Sequence, residues 1–319
     1  RERERERRQK KKKKEESPSG AGRSRCCHSS QIYFVPLDMS SHRLPCTFFN
    51  HGGGPMPLLG QQPGVADALS SYAATLDVTP RAILVITAHW VAETVTVSSG
   101  ESHPLLFDYG GFPREAYEYT YPAPGAPAVA ARVSSLLASI GVDTQHDSKR
   151  GWDHGVFVPL KLMFPDASVP VVAMSLQSSL DPEIHTDIGR ALAPLRDEGV
   201  LIIASGMSFH NFGYFFARDA RTRDSGVRHS RVWNDYLVDT LVSGSHPREQ
   251  QLDRLKAWET GPSATEAHPL GQEEHLIPLH VVLGAAGEED RCSLVGQPGK
   301  GAGGLPDVAL SNFEWRPAD

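Results

Sequence analysis

The sequence predicts one α/β domain in which helices flank a central, mostly parallel β-sheet. Three stretches, residues 82–88, 169–174 and 200–204, are almost wholly apolar and rich in β-branched residues, as is typical of strands covered on both faces. They alternate with patterns of helical period, which indicates a parallel sheet. The chain has 319 residues, 39% of them hydrophobic, and is long enough to bury a substantial core.

The elements of the N-terminal half follow from local patterns. Residues 46–49 form a short apolar run that ends at a loop with three consecutive glycines, and they predict the first strand. The other predicted elements of this half are a helix over 66–76, strands over 82–88 and 94–97, helices over 126–140 and 156–163, and a strand over 169–174.

Capping chemistry makes the helix over 181–195 the clearest element of the C-terminal half. Asp181 suits the N-cap, and Pro182 suits the first helical position, where a missing N–H costs no hydrogen bond. The elements predicted after it are a strand over 200–204, helices over 230–242, 250–258 and 273–283, and a last strand over 308–313.

The charge of the chain is unevenly distributed. Residues 1–16 carry ten of the 32 basic and five of the 38 acidic residues, so the formal charge of −6 hides a body with a net charge of −11. An acidic body argues against a nucleic-acid partner, because phosphate contacts need a basic face. We interpret residues 1–44 as a disordered charged head, or as a gene-model extension before a native start at Met39. A nuclear-localisation or RNA-binding arm is the alternative.

Neither the cysteines nor the hydropathy indicate a secreted or membrane protein. The four cysteines are too few and too irregularly spaced for a disulfide framework or a CxxC zinc site. No apolar run approaches the roughly 18 residues of a membrane span, and no apolar signal-peptide core follows the N-terminal charges. These features predict a cytoplasmic protein that does not bind a membrane.

Ligands in α/β folds bind outside the carboxyl ends of the strands, and this rule points to three of the five histidines that stand out in the sequence. His51, His89 and His210 each follow a predicted strand, and His154 and His275 lie at or near the start of predicted helices. Imidazoles that converge on one sheet edge suit a divalent transition metal with coordination positions left open for substrate. The sequence therefore predicts a metal site at the carboxyl edge of the sheet.

Seven of the remaining nine histidines lie in polar or loop surroundings without a second feature that indicates function, and the two that flank His275, His268 and His280, stay open. His280 follows His275 by five residues, roughly 140° around a helix, which argues against a metal shared by the two. A nucleophilic serine site is the competing chemistry, but the GxSxG motif is missing. Since no P-loop and no GxGxxG motif occurs either, a nucleotide cofactor has no support.

Seven ordered motifs carry a resemblance to a known family. They are NHGGGP (50–55), TAHW (87–90), DYGGFP (108–113), YPAPG (121–125), WDHG (152–155), ASG (204–206) with HN (210–211), and EH (274–275) with PL (278–279). In these motifs the chain resembles the extradiol ring-cleaving dioxygenases of the DOPA-dioxygenase type, within the wider class III, LigB-like group. The resemblance covers about residues 45–315, which makes 45–319 the catalytic domain.

The resemblance implies a non-haem Fe(II) enzyme that opens a catechol ring next to the diol with O₂, and a DOPA-like compound is the first substrate to test. It further implies that His51, His89 and His275 bind the metal, that His210 is a ligand or an acid–base group, and that His154 is a base that contacts the substrate. Some relatives bind Zn²⁺ at the same histidines. Because catecholate and O₂ must both reach the metal, the protein has to leave part of the coordination sphere open.

One loop is expected to shape the substrate site. Residues 108–113, with Tyr117 and Tyr121 nearby, would supply an aromatic wall over the ring, and a packed Gly-Pro turn is the alternative.

Two differences, one from the general iron-binding triad and one from close relatives, leave open which residues bind the metal. The general non-haem iron triad includes a carboxylate where this sequence and the DOPA-type relatives have His275, so Glu273 or Glu274 could contribute a ligand. The segment that leads to His275 is also about two residues longer than in close relatives.

Two other functions stay open at this point. One is a Memo-like, non-enzymatic interaction protein on the same scaffold, and the other is a zinc hydrolase that would need no O₂. The presence of both His154 and His210 favours the dioxygenase.

Overall fold

Short, mostly buried strands build the sheet at the centre of the molecule. The computed structural model describes residues 43–296, 300–302 and 305–318, all within a compact unit that spans Ser41–Asp319. The strands of the described residues are β1 (Cys46–Asn50), β2 (Ala82–Ala92), β3 (Val95–Ser98), β4 (Thr144–Asp147), β5 (Val171–Gln177), β6 (Val200–Gly206), β7 (Arg291–Leu294), β8 (Lys300–Ala302), β9 (Leu305–Ala309) and β10 (Phe313–Arg316).

Eight of these strands form one sheet in the order β4-β3-β5-β2-β6-β1-β10-β7, and β8 pairs with β9 separately. The four central strands, β5, β2, β6 and β1, are all parallel to their neighbours within this group. Antiparallel pairs extend the sheet on both sides, through β3 on β5 and through β10 and β7 beyond β1. The predicted α/β fold with a mostly parallel central sheet is confirmed.

Helices cover both faces of the sheet. Those of the described residues are α1 (Pro63–Ser70), α2 (Pro127–Ala138), α3 (His154–Met163), α4 (Pro182–Leu192), α5 (Pro194–Asp197), α6 (Phe212–Phe215), α7 (Ala220–Leu241), α8 (Arg248–Lys256), α9 (Ala264–Ala267) and α10 (Ile277–Ala285). Short 3₁₀ turns lie at Ala73–Thr75, Arg114–Tyr117 and Trp258–Thr260.

The alternation of side chains along β2 explains why its sequence is continuously apolar. Leu84 and Ile86 enter the core formed with α2, α4 and α10, whereas Ile83 and Val85 enter the core formed with α1 and α3. Neighbouring residues of a strand point to opposite faces, so a strand covered on both sides has no polar face to show.

Close backbone contacts fix helix α10 and the turn before it, which contains His275. Helix α10 is buried along its whole length. A Cβ on Gly284 would lie 2.0 Å from the carbonyl oxygen of Thr186, and a Cβ on Gly189 would lie 2.0 Å from that of Val281, so α4 and α10 pack backbone to backbone. A Cβ on Gly206 would likewise lie 2.2 Å from the carbonyl oxygen of His275. Glycine is required at these positions because any side chain would push the elements apart.

Most predicted elements are present, and the differences have physical reasons. As predicted, the Asp181 side chain caps α4, accepting hydrogen bonds from the backbone N–H groups of Glu183 and Ile184. Strand β2 continues past a bulge to Ala92, so His89 lies inside the strand instead of after it. Helix α10 begins at Ile277, with Pro278 in its first turn, so His275 lies in the turn before the helix.

Three further features differ from those that the sequence pattern predicts. Strand β4 (TQHD) is partly exposed and lacks the apolar run that marks the other strands. Helix α7 starts ten residues before the predicted range because its first turns are polar and mostly not buried, so they lack an apolar pattern. The last predicted strand is divided into β9 and β10 by the turn at residues 310–312.

The predicted charged head lies outside the described residues from position 1 to position 42. Within the described residues, no helix is long and apolar enough to cross a membrane.

Candidate metal centre

All five histidines singled out in the sequence line one cavity of about 600 Å³ at the carboxyl edge of the central strands. His51 directly follows β1, and His210 follows β6 after a short loop. His89 comes from the bulged end of β2, His154 from the start of α3, and His275 from the turn before α10. The fold thus brings together residues that are up to 224 positions apart in the chain.

Three of these histidines direct one nitrogen at a common point. His89 Nε2 lies 3.1 Å from His51 Nε2 and 3.2 Å from His275 Nε2. The ligand atoms of the three rings all lie within 4.8 Å of one another. Three nitrogens that lie this close and do not have hydrogen-bond partners elsewhere form a donor set for a metal ion.

The second nitrogen of each ring is held by an acceptor. His51 Nδ1 lies 3.0 Å from Ser205 Oγ, and the Ser205 hydroxyl donates to the carbonyl oxygen of Gly155, so Ser205 accepts from the ring. His275 Nδ1 donates to Glu274 Oε1 at 2.9 Å. Acceptors at Nδ1 place the proton there and leave the Nε2 lone pair free, which is the arrangement found behind metal-bound histidines.

His89 completes this pattern through Asp108. Its Nδ1 lies 3.4 Å from Asp108 Oδ2. Burial, reinforced by His154, lowers the pKa of His89 to about 3, and burial holds the pKa values of His51 and His275 well below 6.5. The three rings are therefore neutral near pH 7, which is the form that binds a metal.

Asp108 also holds His154. Its Oδ1 accepts from His154 Nδ1 at 2.8 Å and from the His154 backbone N–H at 2.9 Å. Burial by itself raises the pKa of Asp108, but the hydrogen bond and the charges of the two histidines lower it on balance. One ionised carboxylate therefore links the His89 ring to the His154 ring, whose centroids are 3.9 Å apart.

His210 packs flat against His275. The two rings are 3.5 Å apart between centroids and inclined by only 12°. Burial lowers the pKa of His210 to about 4, and its Nδ1 is 4.0 Å from Glu274 Oε1. His210 falls in a second group with Glu274 and His275, and not in the group that His51, His89 and His275 form.

Several residues of the centre have no strong signal in the sequence. Ser205, Asp108 and Glu274 orient the rings, and only their places in the motifs 204–206, 108–113 and 274–275 hint at this. The buried Asp153 accepts from Thr87 Oγ1 at 2.8 Å and from Arg150 Nη2 at 3.0 Å. These partners are separated from one another by up to 154 positions in the chain, so only the folded structure pairs them.

The expected aromatic wall is present in part. Tyr109 and Phe112 line the cavity, as predicted. Tyr117 packs behind Tyr109, with ring centroids 5.4 Å apart, and Tyr121 is buried beside Trp152, so the expectation was wrong for these two tyrosines. The cavity is also lined by three phenylalanines that the sequence motifs did not indicate, Phe212, Phe215 and Phe216.

Known proteins match most of the chain. Residues 51–301 match the family model described as the catalytic LigB subunit of aromatic ring-opening dioxygenase. Dioxygenase tasH of Hapsidospora irregularis is 40% identical over 264 residues, which cover 77% of this chain and 79% of that protein. The 4,5-DOPA dioxygenase extradiol of Beta vulgaris is 38% identical, covering 78% and 90% of the two chains. The protein of the same name from Escherichia coli K12 is 35% identical, covering 77% and 87%.

A solved structure supports the same relationship. An uncharacterized protein from Escherichia coli K12 is similar with a TM-score of 0.65 and 29% identity, and the match covers 85% of this chain and 99% of that one. The family match contains all five cavity histidines. The chain therefore belongs to the LigB family of aromatic ring-opening dioxygenases and is an extradiol ring-cleaving oxidoreductase.

Proposed function

We propose that the protein opens the ring of a catechol with O₂ at a metal held by His51, His89 and His275. The observation that carries the proposal is that the Nε2 atoms of these three histidines converge. His89 Nε2 lies 3.1 Å from His51 Nε2 and 3.2 Å from His275 Nε2, and the Nδ1 atom of each ring faces an acceptor. The other side of this nitrogen cluster faces the cavity, where a substrate can enter.

The donor set fits Fe²⁺, and Zn²⁺ could occupy the same nitrogens. Neutral imidazoles bind both ions, and three ligands on one side leave room for other molecules. Glu274 accepts a hydrogen bond from His275 Nδ1, so it supports this ligand instead of replacing it. When bound, Fe²⁺ supplies a redox-active centre at which catecholate and O₂ can be held side by side.

His154 is suited to take a proton from a catechol hydroxyl. Its Nδ1 proton is committed to Asp108, and its ring lines the cavity beside His89. A base oriented in this way presents its Nε2 lone pair to the substrate, and the Asp108 carboxylate stabilises the imidazolium that forms. We assign His154 as the base that ionises the substrate.

His210 is suited to a second proton transfer. It lines the same cavity and is kept unprotonated near pH 7 by burial, but it is not part of the cluster of three nitrogens. We therefore assign His210 as an acid–base group and not as a metal ligand. It would pass a proton on the side of the substrate that faces His275.

The test is reconstitution of the purified protein with Fe²⁺ under anaerobic conditions, followed by addition of O₂ and a panel of catechols that includes DOPA. We expect O₂ uptake and a coloured ring-opened product in proportion to bound Fe²⁺. The protein loaded with Zn²⁺ is the matched control and should bind catechols without O₂ uptake.

Two outcomes would overturn the proposal. If no catechol in the panel causes O₂ uptake, the interaction-protein alternative gains support. If esters or amides turn over in the absence of O₂, the protein is a hydrolase.

A further inference from the structure

An aromatic surface, the phenylalanine shelf, lines the metal cavity and consists of the exposed Phe212 and Phe216 and the buried Phe215. Phe212 is 55% exposed and Phe216 is 71% exposed, although both rings are large and apolar. The two rings stack at 5.4 Å with an angle of 30° between them. Exposed apolar patches of this kind mark binding surfaces, because water contact with them is unfavourable.

The shelf is held in place by polar contacts on its far side. The Asn211 side chain accepts from the Gly213 N–H at 2.8 Å and donates to the carbonyl oxygen of Glu266 at 2.8 Å. The Tyr214 hydroxyl donates to the Glu266 carboxylate. These contacts fix helix α6, so the exposure of Phe212 and Phe216 is built into the fold.

The shelf begins one ring away from the proposed metal site. The Phe212 ring lies 4.6 Å from the His210 ring, which in turn is stacked on His275. Phe215 lies 5.9 Å from His210 and is almost fully buried. A substituent that extends toward His210 from a ring bound at the three Nε2 atoms would therefore reach these phenylalanines.

Apart from Gln61, the rest of the lining outside the histidines and Asp108 is mostly apolar, and the cavity is larger than one aromatic ring needs. Tyr109 and Phe112 line it with ring centroids 5.5 Å apart, and Met56 and Met207 add thioether side chains. A volume of about 600 Å³ lies in the range that holds drug-sized molecules.

The cavity offers little to a charged substituent. Among the described residues that line it there is no Lys or Arg, and its only carboxylate, Asp108, is occupied by His154 and His89. Arg150 turns away to the carbonyl oxygen of His89 and to Asp153. A carboxylate or ammonium group beside the shelf would find no charged partner among these lining residues, whereas an apolar group there would remove the exposed phenylalanine rings from water.

We propose that the substrate is a catechol whose ring carries a bulky, uncharged, apolar substituent, and that Phe212 and Phe216 bind that substituent. This inference rests on the proposed ring cleavage of a catechol, and it names the class of substrate. It distinguishes this chain's preferred substrate from an amino-acid catechol such as DOPA, whose side chain carries two charges.

The test is a homologous series of 4-alkylcatechols, from methyl to butyl, compared with unsubstituted catechol, DOPA and 3,4-dihydroxybenzoate. With the Fe²⁺-loaded enzyme, kcat/KM should rise roughly two- to fourfold per methylene, as expected for burial of each added group. The Kd measured by titration without O₂ should fall by the same factor per methylene. DOPA and 3,4-dihydroxybenzoate should have at least tenfold lower kcat/KM than butylcatechol.

Variants locate the effect on the shelf. Phe212→Ala and Phe216→Ala should each flatten the dependence on chain length, both in kcat/KM and in Kd, whereas Phe216→Tyr keeps a ring and should preserve it. Ile140→Ala is the matched control, since Ile140 is 44% exposed and does not line the cavity. This variant should show the same dependence of kcat/KM and Kd on alkyl chain length as the parent protein.

The two proposals fail in different ways. A flat alkyl series, or a higher kcat/KM for DOPA than for butylcatechol, would overturn this inference and leave ring cleavage intact. The absence of O₂ uptake with every catechol would overturn the proposed function. The anaerobic Kd series would then still decide whether the shelf binds apolar catechols.

Discussion

Three interior histidines, His185, His268 and His280, are fully buried, and the proposed metal ligands are largely buried, but the two sets differ in what their nitrogens contact. His268 Nε2 donates to the carbonyl oxygen of Ser208 at 3.1 Å, and His280 Nε2 donates to that of Leu255 at 2.8 Å. His185 donates to the carbonyl oxygen of Asp181 and accepts from the N–H of Gln177. Each interior ring thus uses at least one nitrogen on the backbone, and none turns a nitrogen to the cavity, whereas the proposed ligands turn Nδ1 to an acceptor and Nε2 to the cavity.

This difference shows that burial alone does not identify a metal ligand. Burial lowers the pKa to about 3 in both His89 and His268, and to about 4 in both His210 and His280. Desolvation acts on any buried imidazole, whatever its role. What separates the two sets is the direction of the nitrogen lone pairs, which point to the cavity only in the proposed ligands.

The largest effect is expected from removing a proposed ligand. His51→Ala, His89→Ala or His275→Ala should each abolish stoichiometric Fe²⁺ binding and lower kcat/KM by at least about 10³-fold, because two imidazoles hold the ion poorly in an open site. Metal content by elemental analysis and O₂ uptake measure the two effects. The matched control is His146→Ala, at an exposed position on β4. Full metal content in any of the three ligand variants would contradict the assignment.

An intermediate effect is expected from Asp108→Asn. The variant keeps the size of the side chain but removes the charge that holds His89 and His154, so metal affinity and kcat should each fall about 10- to 100-fold. Asp143→Asn, at an exposed position, is the control. If Asp108→Asn lowers thermal stability but leaves metal affinity and kcat unchanged, Asp108 serves only the fold.

The sequence was sufficient to predict the central strands and the cavity histidines, and the reason is physical. A strand covered on both faces must be apolar throughout, and such a strand delivers the residues after it to the ligand-binding edge. His51 and His210 were found in this way. Strand β4 was not predicted from the sequence because it is polar and partly exposed.

Other parts of the site depend on contacts that no local pattern encodes. Ser205 reaches His51 across 154 positions, and Asp108 reaches His154 across 46. The phenylalanine shelf is visible in the sequence as an aromatic run after His210, but a buried core segment would have the same composition. Only the structure shows that Phe212 and Phe216 are exposed at the cavity.

The smallest effect concerns an interior histidine and appears in stability instead of activity. The pKa of His280 is lowered to about 4 by burial, whereas the unfolded chain binds the same proton near pH 6.5. The contribution of His280 to the free energy of unfolding should therefore be constant above pH 6.5. It should decrease as the pH falls from 6.5 toward 4. At pH 5 this decrease in the free energy of unfolding is roughly 2 kcal/mol, because the unfolded state binds a proton at His280 and the folded state does not.

Urea unfolding of the metal-free protein at pH 7, 6 and 5 measures this loss, and removal of the metal keeps acid release of Fe²⁺ from contributing. In His280→Gln the amide can still donate to the carbonyl oxygen of Leu255, but the titrating group is gone. The free energy of unfolding should then fall by about 2 kcal/mol less between pH 7 and pH 5 than in the parent. An equal fall in both proteins would mean that His280 accepts a proton while folded, and would contradict the conclusion that burial alone lowers the pKa of a histidine without a role at the metal.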